Sequence, residues 1–342
     1  MGEAFPHTLC FFSRYDLRDG FEIDTLGTSQ ASLGLEKGRI KGDPILKGLV
    51  AAAAIGVIIL LVAIAYNLFS GADASINKFG FSFVTGSTWD GVHSIFGALP
   101  FIYGTLVTSA LALLFGIPVS LGTSIFLVEK MKTRRTLKYL LGTLIELLAA
   151  VPSVIFGLWG LFFLSPFLRD YVEKPLNIHL GFIPLFSGTP IGLDFFTAGI
   201  ILAIMVIPTI TAVSRDVLNA VPNSQREGMY SLGATSWEVI WKSVLPYARS
   251  GIFGACILGL GRAVGETMAV TMVIGNVNTI SASLFSPGYT LPSKIVNEFG
   301  EATGLYRSSL IELGLILFVL SLLINVFARF LVWRTKGASY KA

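Results

Sequence analysis

Long apolar runs without charged residues recur along this chain, and they restrict its fold more than any other feature. The hydrocarbon core of a bilayer is about 30 Å thick, so a run of about 18 or more apolar residues predicts a membrane-spanning helix. Hydrophobic residues make up 53% of the chain and charged residues only 13%. We predict an all-α integral membrane protein with six spans: Ile45–Phe69, Pro100–Val128, Leu137–Phe163, Phe195–Val213, Gly251–Ile274 and Leu310–Val332.

The distribution of Lys and Arg predicts the orientation of these spans. Basic residues cluster before the first span, between the second and third, between the fourth and fifth, and in the C-terminal tail. Cytoplasmic loops are enriched in Lys and Arg, so we expect both termini and the loop from Arg215 to Arg249 to be cytoplasmic. The net charge of +4 therefore encodes topology, and we expect no nucleic-acid partner.

Motifs for hydrolysis and for metal binding do not stand out in the sequence. It contains no Gly-Lys dipeptide, and so it has no Gly-x-x-x-x-Gly-Lys-Ser/Thr phosphate-binding loop. His7, His93 and His179 are far apart and show no metal-type spacing with Cys10 or Cys256. We therefore expect neither ATP hydrolysis by this chain nor a bound metal or other cofactor.

The loop between the fourth and fifth predicted spans has the pattern of two short helices. Ser224 lies three residues before Glu227, which is the spacing of a capping box. A first helix is predicted over Glu227–Gly233, ended by the glycine, and a second over Ser236–Leu245, stopped by Pro246. We expect the pair to project from the membrane at a right-angled turn.

This loop resembles the conserved cytoplasmic loop of binding-protein-dependent ABC importer permeases, written E-A-A-x-x-x-G and, further along, I-x-L-P. Matching positions at the same offsets are Glu227, Gly233, Leu245 and Pro246. The two alanines and the isoleucine of the pattern are replaced by Gly228, Met229 and Ser243. The resemblance implies that the loop docks into a groove on a separate ATPase subunit. A merely amphipathic surface hairpin is the alternative.

Three further segments are similar to the phosphate permeases of bacteria: Trp89 with Phe96–Thr105, Glu146–Gly157 and Gly261–Ala269. The Trp and the Gly-Ala-Leu-Pro sequence favour PstC-type over PstA-type subunits. The resemblance implies an ABC importer type I permease fold in the bacterial inner membrane. It also implies phosphate as substrate and three kinds of partner, namely a PstA-type second permease, a PstB-type ATPase dimer and a PstS-type binding protein, periplasmic or lipid-anchored.

Two charged residues, Arg262 and Glu266, lie within the fifth predicted span. A charge at the bilayer centre costs at least about 2.5–3.5 kcal/mol, so such residues usually face a cavity, a partner or a substrate. Their i, i+4 spacing predicts one shared helical face, where they can pair. Arginine grips oxyanions through a planar fork of donors, and the resemblance assigns both residues to phosphate translocation. A structural salt bridge is the alternative.

Other patterns concern packing. Glu146 is expected to cap a helix or to pair with another helix near the cytoplasmic side, and a short amphipathic helix is predicted from Lys294 to Phe299 in an outer loop. Small residues along the fifth span are expected to allow close helix contacts, either within the bundle or with a second subunit: Gly254, Gly259, Gly261 and Gly265.

The predicted organisation is a cytoplasmic tail (1–44), a first transmembrane helix (45–69), a periplasmic connection (70–99), a permease core (100–334) with its coupling loop (215–250), and a cytoplasmic tail (335–342). The predicted function is a non-enzymatic permease subunit that imports inorganic phosphate while a separate subunit hydrolyses ATP. Alternatives are a permease for sulfate or molybdate, and a membrane scaffold or sensor in phosphate regulation.

Overall fold

A computed structural model describes residues 43–131 and 134–336, and the structural statements below concern these residues alone. The predicted N-terminal tail, with His7 and Cys10, lies outside them. The described residues form helices and no strand: α1 (Asp43–Gly71), α2 (Asp73–Phe79), α3 (Ser82–Thr85), α4 (Leu99–Ile125), α5 (Arg135–Ala149), α6 (Ser153–Trp159), α7 (Ser165–Leu168), α8 (Lys174–Leu180), α9 (Phe195–Asn219), α10 (Asn223–Ser231), α11 (Ser236–Val239), α12 (Leu245–Gly265), α13 (Met268–Val273), α14 (Leu291–Glu298) and α15 (Gly304–Lys336).

Several of these helices are joined by π-helical turns into longer continuous helices. The π-helical turns are Phe126–Lys130, Gly160–Leu164, Arg169–Glu173 and Ile240–Val244, and a 3-10 turn covers Pro184–Phe186. Within the described ranges, six stretches are long and apolar enough to span a membrane: Leu46–Gly71, Leu99–Lys130, Ser153–Leu180, Phe195–Asn219, Ser236–Gly265 and Gly304–Phe330. The all-α class and the six spans are confirmed.

The third predicted span, Leu137–Phe163, is wrong as a single helix. The chain leaves α5 at Ala149 and begins α6 at Ser153. Pro152 causes this break, since proline has no N–H and forces the residue before it out of the helical region. The candidate third span then continues to Leu180, so the first half of the predicted outer loop from Ser165 to Asp194 is helical.

The fifth predicted span, Gly251–Ile274, is displaced towards the N-terminus in the structure. Its helix is already formed at Ser236 and ends at Gly265, and the short helix α13 follows after a break. The other four spans lie within a few residues of their predicted bounds.

Contacts divide the chain into two compact units, Met1–Gly56 and Val57–Ala342. In the first unit, the described part is the N-terminal portion of α1. In the second, α4 packs along α9 more extensively than any other pair of helices among the described residues. Reciprocal hydrogen bonds connect them, because the Ser120 hydroxyl donates to the Ile207 carbonyl (3.3 Å) and the Thr211 hydroxyl donates to the Ser120 carbonyl (3.5 Å).

Three apolar clusters fill the second unit. The largest surrounds α9 and includes Phe195, Ile201, Val206 and Ile210. A second lies where α3, α4 and α14 meet, and contains Phe83, Trp89, Phe101 and Tyr289. The third lies beneath α10, at the predicted cytoplasmic end, and contains Val128, Leu218, Val221 and Val244. The third cluster supports the loop that resembles a docking site.

Candidate functional site

The loop between the fourth and fifth spans contains one short helix, α10, followed directly by the fifth span. Helix α10 begins at Asn223, just after Pro222. The predicted capping box of Ser224 and Glu227 is therefore wrong, since both residues are already inside the helix. A capping box forms instead at the start of the fifth span. There Thr235 Oγ1 accepts from the Glu238 N–H (3.4 Å), and Glu238 Oε2 accepts from the Thr235 N–H (3.0 Å).

The predicted glycine end of α10 is confirmed. Gly233 has φ +81°, a left-handed conformation that glycine adopts without steric cost. The Gly233 N–H donates to the Tyr230 carbonyl (3.0 Å) and the Ala234 N–H donates to the Met229 carbonyl (3.1 Å), which is a Schellman motif. This turn leaves the Leu232 side chain 82% exposed at the tip of the loop.

The prediction that Pro246 stops a second loop helix is wrong. Inside a helix, proline removes an i→i−4 hydrogen bond, and a π-helical turn with i→i−5 bonding can accommodate it. Pro246 is the second residue of α12, and the π-helical turn Ile240–Val244 joins α11 to α12 without interruption. Leu245 is half-buried, and the neighbouring Ser243 hydroxyl donates to the Gln225 carbonyl at 3.3 Å. The fifth span is thereby attached to α10.

The surface of this loop combines an acidic and an apolar component. Glu227 is exposed on α10. Trp237 and Trp241 are 64% and 54% exposed, and their ring centroids lie 5.5 Å apart. Both tryptophans lie in the first turns of the fifth span, and exposed tryptophan is enriched both at protein contact surfaces and at the ends of membrane spans.

One side chain of α10 points the other way, into the bundle. Arg226 is 4% exposed. Its guanidinium donates through Nε and Nη2 to Glu129 Oε1, at 3.0 Å and 2.8 Å. It also donates through Nη1 to the Val221 carbonyl (2.5 Å) and through Nη2 to the Leu218 carbonyl (2.9 Å). Arg226 thus connects α10 to the ends of the second and fourth spans.

Arg262 lies in the fifth span and is half-buried. Its Nη1 donates to the hydroxyl of Thr209 on α9, at 3.2 Å. Across the described part of the chain, Arg262 forms no ion pair. Because a guanidinium has five N–H donors, one bond to a hydroxyl leaves most of its hydrogen-bonding capacity unused within the chain.

Glu266 does not share a helical face with Arg262, and that prediction is wrong. Helix α12 ends at Gly265, and Glu266 has an extended backbone with ψ 130°. Its Oε1 accepts from the Ala269 N–H at 3.4 Å, in the first turn of α13. Glu266 therefore occupies the break between two helices within the segment that carries Arg262.

The prediction that Glu146 pairs with another helix is confirmed. Glu146 Oε1 accepts from Arg215 Nη2 of α9 at 2.8 Å, and the Lys138 amine donates to Asn219 Oδ1 at 3.4 Å. A groove of about 550 Å³ lies beside these residues. Arg215 thus takes part in packing between α5 and α9.

The predicted outer helix is present as α14, and it buries a lysine. The Lys294 side chain is 0% exposed and forms an ion pair with Glu298. Its Nζ lies 4.6 to 5.3 Å from the ring centroids of Trp89, Phe101 and Tyr289. Burial lowers the pKa of Lys294. The aromatic rings and Glu298 stabilise the charged form.

A pair of buried carboxyl groups connects the third span to the start of the fourth: Glu173 lies in the π-helical turn Arg169–Glu173, and Asp194 caps α9. Glu173 and Asp194 are both 0% exposed. Thr197 donates its hydroxyl to Glu173 Oε1 (3.2 Å) and its N–H to Asp194 Oδ1 (2.9 Å). Burial and the neighbouring Glu173 carboxylate raise the pKa of Asp194 to about 8. One proton shared between the two groups relieves their repulsion.

Sequence reasoning missed three of these features, which all involve residues distant in the chain: the Thr209 partner of Arg262, the Arg226–Glu129 pair and the Glu173–Asp194 pair. Two local signals were present. Arg226 directly precedes the first position of the loop motif, and Glu129 is an acidic residue at the edge of a basic loop. Neither signal identifies its partner.

Six spans, a helical loop with an exposed contact surface and an arginine inside a span define a membrane transport protein of the permease class. Comparison with known families agrees. The chain belongs to the family of binding-protein-dependent transport system inner membrane components, whose model matches residues 116–337.

Relatives and solved structures extend this result. The chain is 48% identical to a phosphate transport system permease protein PstC of Mesorhizobium japonicum, covering 85% of this chain and 90% of the relative. It is also 48% identical to the protein of that name from Pasteurella multocida, covering 82% and 88%. The fold is similar to a chain of a bacterial alginate ABC transporter, with a TM-score of 0.58 and 18% identity over 86% of this chain and 98% of the other.

Proposed function

We propose that this chain is the permease subunit of an ABC importer that carries inorganic phosphate across the bacterial inner membrane. The observation that carries the proposal is 48% identity, over 85% of the chain, to a phosphate transport permease. The chain acts as a conduit and not as an enzyme, and ATP is hydrolysed by a separate subunit.

Arg262 is the proposed contact for phosphate during passage. It is half-buried, lies within the fifth span and is held by the neutral hydroxyl of Thr209. A guanidinium stays charged at all physiological pH values and its planar fork matches the oxygens of phosphate. Thr209 fixes the side chain and leaves its charge uncompensated, so a passing anion gains a strong partner.

Glu266 is proposed to limit how tightly the anion binds. It lies at the helix break four positions beyond Arg262, and it carries the opposite charge. A carboxylate near the anion pathway repels phosphate and favours its release. Binding that is too tight slows conduction, because an ion must leave as readily as it enters.

The loop formed by Glu227, Gly233, Leu245 and Pro246 is proposed to dock the ATPase. In this role Gly233 shapes the turn at the tip of the loop, and the exposed Leu232 and Glu227 contact the ATPase. Leu245 and Pro246 connect the loop to the fifth span. We propose a PstB-type ATPase dimer on this side, which is then cytoplasmic. A PstA-type second permease and a PstS-type binding protein complete the importer.

The test is phosphate uptake by proteoliposomes that contain this chain, the second permease and the ATPase, supplied with the binding protein. Replacing Arg262→Gln is expected to reduce uptake by at least about 100-fold, since the proposed charged contact for phosphate is lost. The variant complex should still co-purify with its ATPase. Arg329→Gln, which removes an exposed arginine from the sixth span, is the matched control and should retain uptake.

Three outcomes contradict parts of the proposal. Uptake retained by the Arg262→Gln variant rules out this residue as the phosphate contact. If sulfate competes with labelled phosphate for uptake as effectively as unlabelled phosphate does, the proposed substrate must be widened to a broader class of oxyanions. Absence of uptake by the unmodified complex, with the ATPase and binding protein bound, favours a scaffold or sensor instead.

A further inference from the structure

Helix α10 inserts one buried side chain into the bundle. Among the residues of α10, all of which the structure describes, Arg226 is the only buried one. The rest of the helix is exposed, apart from Met229, which packs against the apolar cluster beneath it. The Ser243 hydroxyl also donates to the Gln225 carbonyl and connects α10 to the fifth span. A force applied to α10 from outside can therefore reach the second and fourth spans through the Arg226 side chain.

Arg226 connects α10 to two different spans at once. Through Glu129 it holds the π-helical turn that ends the second span. Through the carbonyls of Leu218 and Val221 it holds the end of the fourth span. The last carbonyls of a helix lack partners within it, and a cation there is also favoured by the helix dipole. The single guanidinium of Arg226 thus provides hydrogen bonds to the ends of both the second and the fourth span.

The chemistry of this contact makes it stiff. The Arg226 and Glu129 side chains are each 5% exposed, and two N–H groups converge on one carboxylate oxygen. Charge-assisted bonds from a planar guanidinium are strong and directional, and a buried charge is costly to separate from its partner. Displacement of α10 is therefore more easily passed on to the two spans than absorbed at the contact.

We propose that Arg226 and Glu129 form the mechanical joint that transmits movement of α10 to the second and fourth spans during transport. This inference rests on the proposed docking of an ATPase to the same loop. Both residues are positioning residues, because they lie at the end of the bundle and act on the conduit through the helices they hold. Because hydrogen bonds between Ser120 and both Ile207 and Thr211 connect the second span to the fourth, the two spans are expected to move together.

The same loop provides a matched control. Lys242 and Glu238 form an ion pair at 3.0 Å, but their side chains are 65% and 40% exposed and both belong to the fifth span. Exposed ion pairs of this kind contribute little to the stability of a protein. Lys242→Gln therefore removes a charge from the loop without touching the joint.

The experiment uses the whole complex with Glu129→Gln, Arg226→Lys or Lys242→Gln. Glutamine at position 129 keeps an acceptor oxygen but loses the negative charge. Lysine at position 226 keeps the positive charge but cannot form all four hydrogen bonds of the arginine. Both joint variants are expected to assemble and to hydrolyse ATP, with phosphate imported per ATP reduced by about tenfold, which is within the usual range for coupling residues. Lys242→Gln should leave this ratio unchanged.

A second measurement follows the movement itself and does not depend on the substrate. Amide hydrogen exchange is compared with and without ATP, in α10 and in residues 121–130. In the unmodified complex ATP should change exchange in both segments. In the joint variants the change in α10 should persist, while that in residues 121–130 should be lost.

The outcomes separate this inference from the proposed function. An unchanged ratio of phosphate to ATP in both joint variants overturns the joint. So does a failure of both variants to assemble, because the pair is then purely structural. The unmodified complex could import no phosphate and still show the changes in hydrogen exchange with ATP. That result contradicts phosphate as the substrate but supports the joint formed by Arg226 and Glu129.

Discussion

Two arginines in this chain, Arg226 and Arg262, have opposite environments. Arg226 is 4% exposed and makes four hydrogen bonds, two of them to a carboxylate. Arg262 is half-buried, with one bond to a hydroxyl among the residues that the structure describes. A charge whose partners are all built into the fold serves structure, whereas a charge with capacity to spare can serve a transient ligand. The contrast supports the proposed division of roles, in which Arg226 attaches α10 and Arg262 contacts phosphate.

The largest expected effect is on stability, and it distinguishes the two arginines directly. Arg226→Met removes a buried guanidinium from the Glu129 carboxylate and from two carbonyl groups, and the free energy of unfolding should fall by about 3–5 kcal/mol. Arg262→Met removes one hydrogen bond from a half-buried site, and the loss should stay below about 1.5 kcal/mol. Denaturant titration of the purified chain in detergent measures both. Equal losses would contradict the comparison.

The buried carboxyl pair is an intermediate case, in which a proton and not a cation compensates the charge. The pKa of Asp194 is about 8 in the folded chain against an ordinary value of 3.8. The folded state therefore binds a proton that the unfolded state has released, and stability should fall as pH rises from about 4 to about 8. The slope should be at most about 1.4 kcal/mol per pH unit.

Two variants at the same end of the bundle, Asp194→Asn and Asp170→Asn, separate the buried pair from other sources of pH dependence. Asp194→Asn should flatten the dependence, because the amide has no proton to lose. Asp170→Asn alters an exposed carboxylate that is paired with Arg169 and Lys174, and it should leave the slope as it is. Thermal midpoints recorded from pH 5 to about 8.5 test both; a slope that survives in Asp194→Asn excludes the pair as its source.

The smallest predicted effect concerns how Arg262 is held. Thr209→Val removes the hydroxyl at nearly constant volume, so the guanidinium loses its orientation but keeps its charge. Phosphate uptake should fall by about fivefold, equivalent to about 1 kcal/mol for one hydrogen bond. Thr209→Ser keeps the hydroxyl and should transport normally. A Thr209→Val variant as inactive as Arg262→Gln would show that Thr209 does more than orient the arginine.

Local features of the fold were predictable from the sequence. Apolar run lengths predicted the six spans, because hydrocarbon thickness dictates the length of a spanning helix. Gly233 predicted the end of α10, because a left-handed turn needs glycine. The positions of Arg262 and Glu266 in the fifth predicted span identified the candidate site, since charges inside a membrane are rare and costly.

Features that depend on distant residues or on subtle backbone changes were not predictable. Glu129 and Arg226 are 97 positions apart, and nothing local marks them as partners. The break at Glu266 follows Gly265, but Gly254, Gly259 and Gly261 lie in the same helix without ending it, so a glycine alone does not mark the break. Pro246 looked like a stop signal, but a π-helical turn lies directly before it, so the i→i−4 bonding that proline would break is already replaced at this point.

Gly233 is required for its handedness and not for its small size. A Cβ built on this glycine meets nothing within 4 Å, so space is available for a larger residue. The obstacle is φ +81°, which costs an L-residue about 1–2 kcal/mol and costs its mirror image nothing. The loop tip therefore selects chirality: a D-alanine introduced there by semisynthesis should preserve the turn that presents Leu232, while L-alanine should strain it.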